Sequence, residues 1–252
     1  MMRVPSGYFL RGVDAKAAHE TEESPQTRVW LDEYQIQRWP VTVSQWLAFL
    51  EESHHEWPKE EWIRVSREKQ VMPEILDDAP ITWVNWHDCK AFADWLTSRS
   101  GRKYSLPTEN QWEKACRGVN GQRYPWSDAC PNWQEEFTRQ ADSQGHVLLR
   151  SIGKQKQKAT PFGVEEMWCN VQEWCDDWFL LDWVNPGNPD NEQPGQYKAV
   201  RGGNTIAPGW PRCAARQRIE PTYRSYILGF RLVTAVHEAP GDQPVDGRVG
   251  QA

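Results

Sequence analysis

Sixteen tryptophans in 252 residues, against seven tyrosines and seven phenylalanines, constrain this chain's fold more than any other feature. Each indole buries on the order of 150–250 Å² and its N–H seeks an acceptor, so a chain this rich in Trp is pinned by large separate anchors. Seventeen glycines and 18 prolines mark frequent turns. The composition therefore points to a loop-rich domain and away from a regular helix bundle. The length suits one large domain or two small ones. A net charge of −6 lacks the Lys/Arg excess that a general nucleic-acid binder needs. No stretch approaches the roughly 18 apolar residues of a membrane span. Residues 1–10 lack the apolar core of a secretory signal. The expectation is a cytoplasmic protein with no membrane partner.

Six cysteines, Cys89, Cys116, Cys130, Cys169, Cys175 and Cys213, form an even count without a C-x-x-C. The Cys169 to Cys175 spacing is wider than a zinc knuckle uses, so the six are read as reduced, mostly buried thiols. The six histidines show no His-x-His or His-Glu-x-x-His spacing, and His54-His55 falls in a polar loop. No nucleophile motif of the G-x-S-x-G kind and no internal repeat is visible.

Residues 4–12 and 28–38 read as strands separated by a charged loop, 14–24. Trp46, Phe49 and Leu50 recur at helical spacing behind Thr42 or Ser44 as a cap. Residues 51–79, charged and aperiodic around Trp57 and Trp62, are expected to form a surface insertion. Asn85 can cap a second helix with Cys89, Phe92, Ala93 and Leu96 on one face, stopped by Gly101. Thr108 and Gln111 make a capping-box pattern for a third, which buries Trp112, Ala115 and Cys116 before Gly118. Residues 103–106 read as a brief strand, and 198–203 and 228–236 as paired strands. The Lys/Gln run at 154–158 reads as a solvated loop. Residues 237–252 hold little to bury and are expected to be a disordered tail.

Five motifs in order carry a resemblance: Leu106-Pro107-Thr108-Glu109-Asn110-Gln111-Trp112-Glu113-Lys114-Ala115-Cys116-Arg117-Gly118, Tyr124-Pro125-Trp126, Asn170-Val171-Gln172-Glu173-Trp174, Val200-Arg201-Gly202-Gly203-Asn204, and Leu228-Gly229-Phe230-Arg231-Leu232-Val233. Together they resemble the formylglycine-generating-enzyme (sulfatase-modifying factor) superfamily. The similarity extends to Val4-Pro5-Ser6-Gly7-Tyr8-Phe9-Leu10-Arg11-Gly12 and covers residues 3–236 as one domain. It implies an α+β, C-type-lectin-like fold with few regular elements and long loops.

The resemblance also states what the chemistry requires. Family members that make formylglycine hold copper between two cysteines in the segment before the Gly-Phe-Arg strand, because soft Cu(I) needs paired thiolates. Here Ala207 stands where the first is expected, the stretch for the second is shortened, and Cys213 fits the following Arg-Cys-Ala-Ala-Arg element. A related branch binds iron through histidines of an added helical domain, for which this sequence shows no counterpart. No copper or iron is expected, and the sequence argues against catalysis. A metal-dependent oxidoreductase with a rearranged site is the alternative, and a structural subunit of a larger assembly is a third reading.

Glu166-Met167-Trp168-Cys169-Asn170-Val171-Gln172-Glu173 resembles a family calcium loop. The resemblance implies side-chain oxygens at Glu166 and Glu173 and backbone carbonyls at Cys169 and Val171, a set of hard donors that suits calcium. Cys169 replaces the usual glycine and would be strained if that position required a positive φ. The alternative is that Glu173 accepts backbone N–H bonds and Trp174 fills the core without an ion.

In this fold the segment before the last strands forms a loop surface. Here it carries Asn204, Thr205, Ile206, Trp210, Gln217, Glu220, Tyr223, Ser225 and Tyr226. Aromatic side chains on a rigid scaffold suit recognition of a protein or small-molecule ligand. The same region resembles the display surface of retroelement-diversified proteins, which implies a binding module across 204–226. Arg201, Arg212, Arg216 and Arg231 read as structural partners of nearby carboxylates.

Overall fold

A computed structural model describes residues 1–16, 21–69, 72, 74–126, 128, 149–153, 159–184, 195–203 and 212–236. Each of the two N-terminal stretches expected as single strands is divided between two sheets. β1 (Met2–Val4) and β4 (Tyr34–Ile36) pair antiparallel, whereas β2 (Gly7–Arg11) and β3 (Thr27–Leu31) make a separate hairpin. The break after β1 falls at Pro5-Ser6-Gly7, where Gly7 takes φ 135°, a conformation that suits glycine. Asp32-Glu33 separates β3 from β4.

Helix α1 (Val43–Ser53) begins with a full capping box in which Thr42 Oγ1 accepts from Gln45 N–H and the Gln45 side chain accepts from Thr42 N–H. The cap is therefore Thr42, and Val43, Trp46 and Phe49 form the buried face. Residues 51–79 are not a surface insertion. They contain α2 (Lys59–Glu68), whose Trp62 is 1% exposed and donates to Thr82 Oγ1 at 3.2 Å, and Met72 is also buried. Mean hydropathy hides this element because its polar face dominates the composition while Trp62 and Val65, three apart, turn inward. α3 (Trp86–Ser100) is capped by Asn85 with Asp88 and ends at Gly101 in the left-handed region. α4 (Glu109–Arg117) is capped by Thr108 with Gln111.

The first sheet is completed by β5 (Tyr104–Ser105) and β10 (Val233–Ala235), in the order β1-β4-β10-β5. Another four-stranded sheet runs β8-β7-β6-β9, from β6 (Gln172–Trp178), β7 (Lys198–Arg201), β8 (Arg216–Ile219) and β9 (Leu228–Gly229). The expected pairing of 198–203 with 228–236 is replaced: β7 lies between β6 and β8, β9 adds to β6 in parallel, and β10 joins β4 and β5. One core gathers Trp46, Phe49, Trp62, Phe92, Trp174 and Phe230 between the helices and sheet, and a second gathers Trp112, Tyr34, Met167 and Phe179. Tryptophans thus serve as separate anchors. Trp174 donates to the Val84 carbonyl at 3.0 Å and Trp86 to the Cys175 carbonyl at 3.1 Å. Among the described residues no helix is long and apolar enough to cross a membrane.

Candidate functional site

Of the nine residues expected to meet a ligand, Asn204, Thr205, Ile206 and Trp210 lie outside the described residues. The other five follow one another along β8 and the turn after it. Gln217 is half-buried on β8 opposite Val200, and Glu220 is exposed. Tyr223, whose N–H closes a turn onto the Glu220 carbonyl at 3.0 Å, is 54% exposed. Ser225 and Tyr226 are half-buried, and Tyr226 packs against the main core.

This segment is fastened to the start of α3. Trp86 N–H donates to the Pro221 carbonyl at 3.0 Å, Trp83 N–H to the Ser225 carbonyl at 2.9 Å, and Gln172 N–H to the Ile227 carbonyl at 2.8 Å. Arg224 donates to the Trp83 carbonyl at 3.0 Å and forms an ion pair with the Asp88 carboxylate through both terminal nitrogens. Asp88 in turn accepts from Asn85 N–H at 2.9 Å and sits 2.9 Å from His55 Nε2. One carboxylate therefore caps α3 and anchors the 221–227 segment. Trp83 adopts φ 63°, unfavourable for a bulky side chain, and its buried indole N–H has no partner. Sequence reasoning missed Trp83, Asp88, His55 and Arg224. Trp83 stands in a short apolar run, and nothing in the order of residues pairs Arg224 with a carboxylate 136 positions away.

Behind the segment lies a buried ionic cluster. Arg216 grips Glu109 at 2.9 and 2.7 Å. Arg201 reaches Glu113 at 2.5 Å and Glu109 at 3.4 Å, while Arg117 meets Glu113 at 2.8 Å. Burial would raise the Glu109 carboxyl, but Arg216, Arg201 and Arg11 outweigh it and hold the group at about 2. Burial likewise opposes ionisation of Glu113, which Arg201 and Arg117 draw below the ordinary range. Arg212 pairs with Glu23, both buried. These arginines are structural, each matched to a carboxylate. A cavity of about 220 Å³ opens beside them, lined by Val13, Glu23, Gln26, Arg123 and Arg212 among others. Its charged lining sets Asp14, Glu23 and Asp128 against Arg117, Arg123 and Arg212, so the two signs balance in number.

The four positions of the expected calcium loop do not fit the ion as a set. Glu173 is fully buried and accepts from Arg231 Nε and Nη2, each at 2.7 Å, and from the Trp112 indole at 2.8 Å. Its charge is met by a guanidinium, and its partners are side chains rather than the expected backbone N–H groups. The Cys169 carbonyl accepts from Val171 N–H at 2.9 Å. Glu166 accepts only from neutral donors, Gly153 N–H at 2.9 Å and the Asn170 amide at 3.0 Å, and burial raises its carboxyl. The positive φ angles fall on Glu166 (59°) and Asn170 (68°), not on Cys169. Asn170 tolerates the left-handed region and uses its amide to bond the Arg150 N–H and carbonyl at 3.1 and 3.0 Å. Among the described residues no group of three or more His, Cys, Asp or Glu side chains is placed to hold a metal.

The five cysteines within the described residues, Cys89, Cys116, Cys169, Cys175 and Cys213, are all buried; Cys130 lies outside them. Cys116 Sγ and Cys213 Sγ are 2.9 Å apart, joining α4 to the segment that leads into β8.

Short strands, four capped or packed helices and long loops pinned by indoles define an α+β domain of the C-type-lectin-like kind. The chain belongs to the family described as the sulfatase-modifying factor enzyme 1-like domain, whose sequence model matches residues 1–236. It is 29% identical to the serine/threonine-protein kinase pkn1 of Chlamydia caviae over 94% of this chain and 38% of that protein. It is 27% identical to the hercynine oxygenase of Mycolicibacterium smegmatis over 91% of this chain and 60% of that protein. The chain thus spans less than two thirds of either relative. With the formylglycine-generating enzyme of Thermomonospora curvata it shares 25% identity over 92% of both. PvdO from Pseudomonas aeruginosa shares the fold at TM-score 0.72, with 20% identity and 93% of each chain covered. Treponema denticola variable protein 1 does so at 0.67, with 17% identity and 94% and 95% covered. The curated relatives named here are thus enzymes by name, and a protein named as variable shares the fold.

Proposed function

We propose that this chain is a non-catalytic binding module that recognises a protein or small-molecule ligand through residues 204–226. One observation carries the reading. The segment around Tyr223 is fixed by three backbone hydrogen bonds and the Arg224–Asp88 pair, yet leaves the Tyr223 ring more than half exposed. A rigid aromatic side chain costs little entropy to present, which suits a contact hot spot. The sequence supports the same conclusion, because Ala207 stands where copper chemistry needs a thiolate.

The test has two arms. Peptide and glycan libraries are panned on the wild type and on Tyr223→Ala, and binders retained by the first are expected to be lost by the second. Oxygen uptake is then followed after copper or iron loading in the presence of thiol peptides. Metal-dependent turnover would favour the oxidoreductase alternative and overturn the binding-module reading.

A further inference from the structure

The hairpin of β2 and β3 has one strand edge open among the described residues. On the β2 side, Leu10 N–H turns away from β3 and donates to the Val119 carbonyl at 3.2 Å. Bonded and non-bonded pairs alternate along an antiparallel ladder, so Leu10–Arg28 and Tyr8–Trp30 are the pairs without mutual backbone bonds. Arg28 and Trp30 therefore direct their N–H and C=O groups to the far side of β3, where no strand joins them among the described residues. An edge of this kind is a template for a further strand. Its side chains are arranged in a definite order. Arg28, Trp30 and Asp32 share the outer face by the period of two, and all three are exposed. The Tyr8 ring stands opposite Trp30 with centroids 4.9 Å apart, the Arg28 guanidinium lies 4.0 Å over Tyr8, and the Trp30 indole donates to Asp32 at 3.2 Å. A cation, a ring and an anion thus follow one another along the edge.

We propose that β3 pairs antiparallel with β3 of a second copy about a two-fold axis at Trp30, which joins two hairpins into one four-stranded sheet. Charge selects both the occupant and the register. Because Arg28 and Asp32 lie equally far from Trp30 on either side, this axis sets Arg28 of each copy opposite Asp32 of the other, and the edge is complementary to itself. An axis at Val29 would set Asp32 against Gln26 and Arg28 against Trp30, leaving the charges unmatched, and one at Arg28 would oppose two guanidiniums. The backbone agrees with the Trp30 axis. Residues 28, 30 and 32 all fall on outward-directed positions, so the two edges can exchange about six N–H···O=C bonds. Tyr8 and Trp30 of both copies then form a row of four rings on one face, at strand spacings of about 4.8 Å, as favourable cross-strand pairs do.

Sedimentation velocity of the full chain tests the proposal. The wild type is expected to pass from monomer to dimer between about 1 µM and 1 mM, the weak association that a contact of less than standard area supports. Arg28→Glu sets two carboxylates against each other at both ends of the edge, and Asp32→Arg does the same with two guanidiniums. Each variant, checked for native circular dichroism, should dimerise at least about ten-fold more weakly. An equimolar mixture of the two should recover to within about three-fold of the wild type, because the introduced carboxylate then faces the introduced guanidinium while the native pair is kept at the other end. Amide exchange across 28–32 in the wild type, which needs no substitution, should slow several-fold between the dilute and the concentrated sample. A wild type that stays monomeric at about 1 mM, exchange there that is indifferent to concentration, variants that dimerise like the wild type, or a mixture of natively folded variants that does not recover overturns the proposal.

Discussion

Replacing Glu109 by Gln removes one charge from the buried cluster while keeping its shape. In the wild type this carboxylate accepts from Arg216 Nε and Nη2 and has further contacts from Arg201 and Arg11. The difference between its folded value of about 2 and the ordinary 4.5 corresponds to roughly 3 kcal/mol of stability at neutral pH. Because the folded value is depressed, that stability is present above about pH 4.5 and is lost as pH falls through about 2, with about 2 kcal/mol gone by pH 3. Breaking a buried pair typically costs about 3–5 kcal/mol, so E109Q should lose that much at pH 7. Urea unfolding of both proteins at pH 7, 5, 4 and 3 checks the reasoning. The two stability curves should converge by about 2 kcal/mol toward pH 3. Glu166 titrates in both proteins and largely cancels in the difference. A separation that stays constant within about 0.5 kcal/mol across this range would show that Glu109 is not the coupled group.

Trp62→Ala should cost about 3–5 kcal/mol in urea unfolding, since the ring is in the core, and a loss below about 1 kcal/mol would return residues 59–68 to the surface. Calcium against a chelator should move the melting temperature by less than about 1 °C, because Arg231 already neutralises Glu173. A rise of several degrees would place the ion in this loop after all. Burial pushes the Cys89, Cys116 and Cys175 thiols well up, so a water-soluble maleimide at pH 7 should modify them only as the protein unfolds, as mass spectrometry of labelled peptides can establish. Arg224→Met should leave overall stability within about 2 kcal/mol yet speed amide exchange across 221–228 by about ten-fold or more. Unchanged exchange there would mean that the backbone bonds alone hold residues 221–228.

Local signals in the sequence located the elements they govern. The Thr108/Gln111 and Asn85 caps set helix starts, Gly101 and Gly118 set helix ends, and the ordered motifs identified the fold. What stayed hidden depends on contacts distant in sequence. α2 was read as a surface insertion because its net polarity masks two inward side chains three positions apart. The strands at 4–12 and 28–38 were each read as one because alternation does not reveal which sheet a residue joins, and a turn of two residues suffices to change sheets. At the candidate site the aromatic positions were legible by type. Their support was not, since Arg224, Asp88, Trp83 and His55 come from three separate parts of the chain. Glu173 reads from the sequence as an ion ligand, whereas its guanidinium partner is not legible, because Arg231 lies 58 residues away.

The same long-range ion pairs hold the described chain on either side of residues 204–211. Residue 203 ends one clamp and residue 212 begins the next. Before the gap, Arg201 bonds the carbonyls of Cys213 and Ala214 at 2.9 and 3.4 Å as well as Glu113. After it, Arg212 is tied to Glu23 and Arg216 to Glu109. Each of these bonds joins one flank to the other or to the core, so the chain on both sides of residues 204–211 is positioned by buried ion pairs whose partners lie far away in sequence.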